Sequence, residues 1–567
     1  MKSQLELLNG FGRRVLLPGL IGLLGVGIAF AQHPKLSPEL DAISEQNQVD
    51  VIITYKEVPT SAHHARVLVR GGSMRRSLEL VKAGAYRLPA SELVEFANDP
   101  DVEYISPDHE VKGTLEFAEP TINANIAFQH GYDGSAVGVA IVDSGIMSHP
   151  DLGSRIVYNE TFVPNNGNDY FDRYGHGTHV AGIVGGDALE STGSQYLHTF
   201  RGIAPNVNLV NLRVLDPNGV GQDSSVIAAI ERAIQLKSTY NIRVINLSLG
   251  RPVSGTYTKD PLCQAVEQAW KAGIVVVVAA GNEGRNNSAN TLGYGTITAP
   301  GNDPYVITVG AMKDMSTTSR TDDLIASYSS KGPTLIDHIA KPDIVAPGNR
   351  IISTIPAGLQ LTNTYQQNKV SNQYYIMGGA NQGSDYYFTL NGTSMAAPMV
   401  SGAAALMIQK DPTLTPDTVK ARLMKTATKT FPKTSTATDP TTGQMYTSSY
   451  DLFTIGAGYL DAWAALNSTD TVVASETSQS PAVQYNASTG SISLVNGTNV
   501  VWGSTIVWGS NVVWGSSVVS GSNVVWGSTI VWGSSTMTGF NVVWGSNVVW
   551  GSGTPQGEIT KIAIYGE

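Results

Sequence analysis

The sequence predicts an α/β protein: a parallel sheet with helices on both faces, preceded by a small α+β segment of ferredoxin-like type and followed by a β-rich repeat tail. Three observations carry that prediction. Through the middle of the chain, short apolar runs alternate with helical patterns, as strands buried on both faces and joined by crossover helices require. Residues 34–112 carry more charge and less glycine than the central part of the chain. From Thr477 to Gly557 there is no Asp, Glu, Lys, Arg or His, and a hexapeptide recurs.

The chain has 567 residues, too many for one compact domain. Only 14% of them are charged and the net charge is -10, so no basic footprint points to nucleic acid. The single cysteine, Cys263, excludes intrachain disulfides and sits in an apolar helical pattern as an inert core thiol.

Taken in order, Lys2, Arg13 and Arg14 precede an apolar run over 15–30 and a small-x-small site, Ala29-Phe30-Ala31. These features read as a secretory signal peptide over 1–31, with Arg13-Arg14 leaving a twin-arginine route open. In the α+β segment, Val51-Ile52-Ile53-Thr54-Tyr55 is a strand, Leu88-Pro89-Ala90-Ser91-Glu92-Leu93-Val94 opens a short helix, and Val102-Glu103-Tyr104-Ile105 closes as a strand. The central region then offers a strand near Val137, a helix from His176, a strand over 209–214 and a helix over 225–236. Strands follow near Val244, Val275 and Val306, and the last helix of the core opens at Ser394. An insert over 357–387, rich in Asn, Gln, Gly and Tyr, reads as a long irregular segment bordering the site.

Three of these elements carry chemistry. Asp143 ends an apolar strand, where ligand crevices form. His176 lies between glycines at a helix mouth. Ser394 follows Gly-Thr and enters an Ala-rich helix, which places its hydroxyl beside orphan backbone N–H groups and the positive end of a helix dipole. That position suits a nucleophile whose product is an oxyanion.

Asp143 in Asp-Ser-Gly, His176 in His-Gly-Thr-His-Val-Ala-Gly and Ser394 in Gly-Thr-Ser-Met-Ala-Ala-Pro together resemble the subtilisin-like serine peptidases, whose chain order is also Asp, His, Ser. The resemblance covers about 131–466. An α/β-hydrolase would require Gly-x-Ser-x-Gly, and position 396 is Ala. His176 also argues against a serine-glutamate-aspartate peptidase.

The resemblance implies that Ser394 attacks, His176 acts as base, Asp143 orients it, and the Asn282 amide with the Ser394 N–H meets the oxyanion. It further implies that Ser248, Leu249 and Gly250 on one side and Gly219, Val220 and Gly221 on the other pair with an extended peptide. Ala279 and Gly281 would line an open pocket favouring apolar side chains, with Glu283 at its rim and a cis Ala299–Pro300 peptide beside it. No cofactor is required. Calcium stays open and unassigned, because 187–195 does not resemble the family's calcium loop and Asp151 lies one residue nearer Asp143 than in the common pattern.

On the same footing, 34–112 resembles an inhibitory propeptide that is the chain's own intramolecular inhibitor, cut from the peptidase domain (118–466) between Val111 and Glu119. The implied protein is a secreted or cell-surface endopeptidase of broad specificity acting on proteins and peptides. The C-terminal repeat region spans 467–567, with hexapeptides over about 500–552. Trp502, Trp508, Trp514, Trp526, Trp532, Trp544 and Trp550 keep a period of six, with Ser520 and Thr538 at two skipped positions. Such units form either a meander or the coils of a solenoid. They are expected to present an aromatic face to the cell envelope or a polymer, and a chain ending near Ser468 is expected to keep peptidase activity. A secreted surface-binding protein using the repeats, with the peptidase fold as scaffold, is the alternative reading.

Overall fold

The computed structural model describes residues 33–37, 40, 48–78, 82–107, 113–114, 117–288, 290–440, 442–474, 477–486, 491–495, 512–513, 530–531 and 561–567. Two compact units divide the chain, 1–110 and 111–567. The signal-peptide stretch and the tryptophans of the repeats lie outside the described residues.

The first unit runs strand Gln48–Tyr55, helix Ser61–Val69, strands Ser73–Leu78 and Ala83–Pro89, helix Leu93–Asn98 and strand Val102–Pro107. Its sheet is antiparallel, with Gln48–Tyr55 between Ala83–Pro89 and Val102–Pro107. Alternation fixes the faces: Val49, Val51, Ile53 and Tyr55 are buried while the residues between them are half-exposed. Leu93, Phe96 and Ala97 of the second helix close the core with Val67 of the first. This is the ferredoxin-like order. Leu88 and Pro89, expected to open the helix, end a strand instead, and a 3-10 turn over Ala90–Glu92 intervenes.

The second unit is built on a sheet ordered Leu324–Ile325, Ile307–Lys313, Val275–Ala279, Ile242–Leu247, Gly138–Asp143, Asn208–Arg213, Ile156–Thr161, with Ile344–Pro347 also paired to Ile307–Lys313. Every pairing is parallel except that of Leu324–Ile325. Parallel strands need cover on both faces, and Gly138–Asp143 and Val275–Ala279 are buried at every residue. The cover comes from two helix pairs. His176–Gly185 packs on Thr393–Lys410, and Asp223–Tyr240 packs on Pro261–Lys271. Gly138–Asp143 is the inner strand from which the sheet grows both ways, and Asp143, at its carboxyl end, pairs with Arg213.

The insert is more ordered than its composition suggests. Lys369–Ser371 and Gly383–Leu390 join Ile351–Thr354 in a three-stranded antiparallel sheet. Tyr375 and Tyr387 pack with Phe200 in a core of their own.

The separate tail expected beyond Leu466 needs correcting for the parts that are described. Ser480 lies in the interior of the second unit, where its hydroxyl donates to Asp343 Oδ1 at 2.5 Å and accepts from Lys420 Nζ at 2.9 Å. Its N–H donates to Pro304 O, Ala340 donates to Pro481 O, and Val483 donates to His338 O. Ile562 and Ile564 are buried in the main core. An uncharged stretch gives no sign in sequence that its two flanks bury, and 111–567 forms one compact unit with no division at 466/467. Of the repeats themselves, Val512↔Ile530 and Val513↔Val531 pair in parallel.

Candidate active site

The His176 helix begins under strict control. Its first N–H groups have no intrahelical partner, and two side chains supply acceptors. Asp172 Oδ2 accepts from the Thr178 N–H (2.9 Å) and hydroxyl (2.6 Å), while Ser144 Oγ accepts from the Gly177 N–H at 2.9 Å. Ser144 in turn donates to Asp172 Oδ1 at 2.9 Å. The strand end and the helix start are thus tied together, and His176 Nδ1 stands 2.8 Å from Asp143 Oδ1. A carboxylate only accepts, so Nδ1 carries the proton and Nε2 is the unprotonated nitrogen of the neutral ring.

Burial disfavours the charged imidazolium, but the Asp143 charge and hydrogen bond, with Asp172 behind, outweigh it and hold the His176 pKa above its ordinary value. One turn on, burial and the neighbouring His176 push His179 down to about 3, and its Nε2 lies 3.1 Å from the Ile351 and Phe388 carbonyls. His179 is therefore a neutral structural group.

Ser394 stands in the first turn of the helix Thr393–Lys410, after Gly392 at φ +141°. A Cβ on Gly392 would lie 3.2 Å from Asn282 Nδ2, so glycine is required for conformation and for space. Pro398 lies four residues beyond the serine and has no N–H. The Ser394 carbonyl therefore lacks its helical donor and accepts from Ser248 Oγ at 2.8 Å. The Ser248 carbonyl in return accepts from the Ser394 hydroxyl at 3.1 Å. Asn246 Nδ2 donates to Ser248 Oγ, and Ser401 donates to Asn246 Oδ1. To serve as the nucleophile expected from the sequence, the Ser394 hydroxyl would have to turn from Ser248 to His176; such bonds commonly tighten only with substrate bound.

Asn282 Oδ1 accepts from the Thr393 N–H at 2.9 Å and the Thr393 hydroxyl at 3.1 Å. Those two donors fix the amide orientation and leave Nδ2 as the outward donor. The Thr393 oxygen also accepts from the Gly281 N–H at 3.2 Å.

Two further segments, 219–221 and 248–250, are those expected to pair with an extended peptide. Asp216 folds the 216–220 turn: its side chain accepts from the Val220 N–H at 3.0 Å and its own N–H donates to Val220 O at 2.8 Å. Val220 is 42% exposed at the rim, and Gly221 is exposed. In the other segment, Leu249 is half-buried and Gly250 exposed. Gly250 and Gly281 converge on Thr298, which a Cβ on either would reach within 2.8 Å. Ala279 is buried at 3% exposure, and the Ala299–Pro300 peptide is cis, as the resemblance implies.

Among the described residues, no three His, Cys, Asp or Glu side chains are grouped to hold a metal ion. Asp151 meets hydrogen-bond donors instead: Oδ2 accepts from the Tyr387 hydroxyl at 2.6 Å and Oδ1 from the Glu190 N–H at 2.8 Å. Burial raises its pKa to about 6. Burial likewise pushes the Cys263 thiol up, in keeping with an inert core residue.

Residues 134–449 match a family model described as the subtilase family. Serine protease AprX of Bacillus subtilis (strain 168) is 39% identical over 328 residues, covering 57% of this chain and 68% of the relative. Subtilisin E of the same organism is 36% identical over 385 residues, 66% of this chain and 84% of its own length. The chain belongs to the subtilase family. It is accordingly a serine endopeptidase.

Within this subtilase, sequence reasoning missed Thr393, Asn246, Ser401, Ser144 and Asp172, which touch the expected site residues or hold those that do. One signal was available: a proline four residues after the serine frees the serine's carbonyl and calls for an outside donor. The others are polar residues whose partners lie far away in sequence.

Proposed function

We propose that this subtilase is a secreted, self-processing endopeptidase of broad specificity in which Ser394, His176, Asp143 and Asn282 carry the chemistry. The observation that supports this most strongly is the 2.8 Å Asp143–His176 pair beside a serine loop whose Thr393 orients Asn282. Ser394 Oγ attacks the scissile carbonyl and His176 Nε2 takes its proton. The tetrahedral oxyanion is met by Asn282 Nδ2 and the Ser394 N–H, and His176 then protonates the leaving amine. Asp143 keeps the tautomer and stabilises the imidazolium.

Substrate adds as a strand between 248–250 and 219–221. The Gly219 N–H is spent on Asp216 O, and both main-chain groups of Val220 are spent within the turn, so Gly221 and the Gly219 carbonyl take the pairing. Glycines at 250 and 281 leave the pocket room for a large apolar side chain.

The first unit is the inhibitory propeptide in this reading. The junction narrows to the chain before Ala118, because Ala118 and Glu119 are already buried in the second unit. Among the described residues no helix is long and apolar enough to cross a membrane, and export rests on the signal-like N-terminus. The repeats attach the enzyme to an envelope or polymer. Parallel pairing of Val512 with Ile530, three hexapeptides on, favours coils over a meander of neighbouring antiparallel strands.

The test is labelling by a fluorophosphonate with Ser394→Ala as control, expressed in a host lacking other peptidases. Wild type should label and mature with a new N-terminus at or before Ala118, and Ser394→Ala should do neither. Maturation of Ser394→Ala would refute self-processing.

A further inference from the structure

After the repeats the chain meets several loops of the peptidase at once. Residues 561–565 form a helical turn whose Ile562 and Ile564 bury in the core that also holds the Ser394 helix. Asn391, three residues before Ser394, donates to the Ala563 carbonyl from its N–H at 3.0 Å and from Nδ2 at 3.2 Å. Asn349 Oδ1 accepts from the Glu567 N–H at 3.2 Å, and the adjacent Gly348 carbonyl accepts from the Gly392 N–H at 2.8 Å.

Glu567 reaches the other half of the site. Its Oε1 accepts from the Ser327 N–H at 2.5 Å and from Arg285 Nη2 at 3.2 Å, with both charged side chains at most 5% exposed. Arg285 lies three residues beyond Asn282. Gly566 fits only without a side chain: its φ is +56°, and a Cβ would stand 2.1 Å from Asn391 Oδ1.

We propose that the 561–567 segment is a positioning element of the active site. It clasps the Asn391 end of the nucleophile loop to the Arg285 end of the oxyanion segment, so that Asn282 and the Ser394 N–H converge on one oxygen. The described flanks of the repeats, 477–483 and 561–567, are then both joined to the peptidase. Full turnover requires the sequence beyond the repeats to be in place. This rests on the assignment of Ser394 and Asn282 above.

The experiment compares the full chain, a chain ending at Thr560, Gly566→Val, and an in-frame deletion of 500–552. The readouts are kcat and KM on a small peptide anilide, per mole of folded protein measured by circular dichroism. Losing the clasp should lower kcat about ten- to hundredfold, as small misplacements of reacting groups do, with KM nearly unchanged. The in-frame deletion should keep kcat, and a synthetic peptide of residues 561–567 should restore much of it to the chain ending at Thr560. Should that chain fail to fold, Glu567→Ala against Glu567→Gln decides, since glutamine keeps the acceptor and should recover most of what alanine loses. Full kcat in the chain ending at Thr560, an equal loss in the 500–552 deletion, or equal kcat in the two Glu567 variants would overturn the proposal. Activity surviving in Ser394→Ala would instead overturn the nucleophile assignment.

Discussion

Replacing Thr393 by valine keeps the shape of a fully buried side chain and removes one oxygen. That oxygen makes two hydrogen bonds, donating to Asn282 Oδ1 at 3.1 Å and accepting from the Gly281 N–H at 3.2 Å. At about 1 kcal/mol for each buried bond the loss is about 2 kcal/mol. If all of it falls on the transition state, kcat drops about 30-fold, and that is an upper bound because the Thr393 N–H still holds Asn282. KM should stay constant, since an oxyanion donor acts when charge develops on the oxygen and not on the bound ground state. Steady-state kinetics on a peptide anilide measure both constants. Asn282→Ala alone should cost about 10²–10³. Because Thr393 acts through Asn282, adding Thr393→Val to that variant should cost little more. Equal costs of Thr393→Val in the two backgrounds, or a rise in KM at constant kcat, would refute the reasoning.

In Asp143→Asn, only Asp172 is left to oppose the burial that works against the His176 charge, so the His176 pKa should fall; kcat should drop about 10⁴-fold. The acid limb of the kcat/KM profile should move to lower pH, and a limb that stays or rises contradicts the electrostatics. Ser480→Ala should cost about 1–3 kcal/mol of stability by urea denaturation, as its hydroxyl partners lose a buried contact; no change would show that stretch to be independent of the core. Lys341 at 2.6 Å and Lys420 at 3.2 Å flank Asp343. Burial works against the Asp343 charge, but the two lysines outweigh it and hold its pKa below the usual carboxylate range. Its contribution is therefore present above that range and lost as pH falls through the lowered value. Asp343→Asn should destabilise by about 3–5 kcal/mol at neutral pH, leaving buried lysines unpaired, and should blunt the acid dependence of the melting temperature.

The sequence by itself determined what is local. Apolar runs such as Val275–Ala279 encode parallel strands, because strands buried on both faces need unbroken hydrophobicity. Asp143, His176 and Ser394 could be singled out as candidates because each sits in a short motif whose glycines and small residues serve the turn around it. The order within the sheet, the half-polar strand Ile156–Thr161 and the strands of the 357–387 insert were not legible, since their partners are remote and their own patterns weak. Polar support was hidden for the same reason: Asn246 and Ser401 matter only because folding sets them 2.8 Å apart across 155 residues. The tail shows the limit most plainly. Six-residue periodicity reveals a repeat, but nothing in residues 561–567 announces that Ile562 and Ile564 bury at about 1.5–3 kcal/mol each, or that Glu567 closes on Arg285. A contact between segments separated by hundreds of residues is a property of the packed chain, and only the tertiary structure decides it.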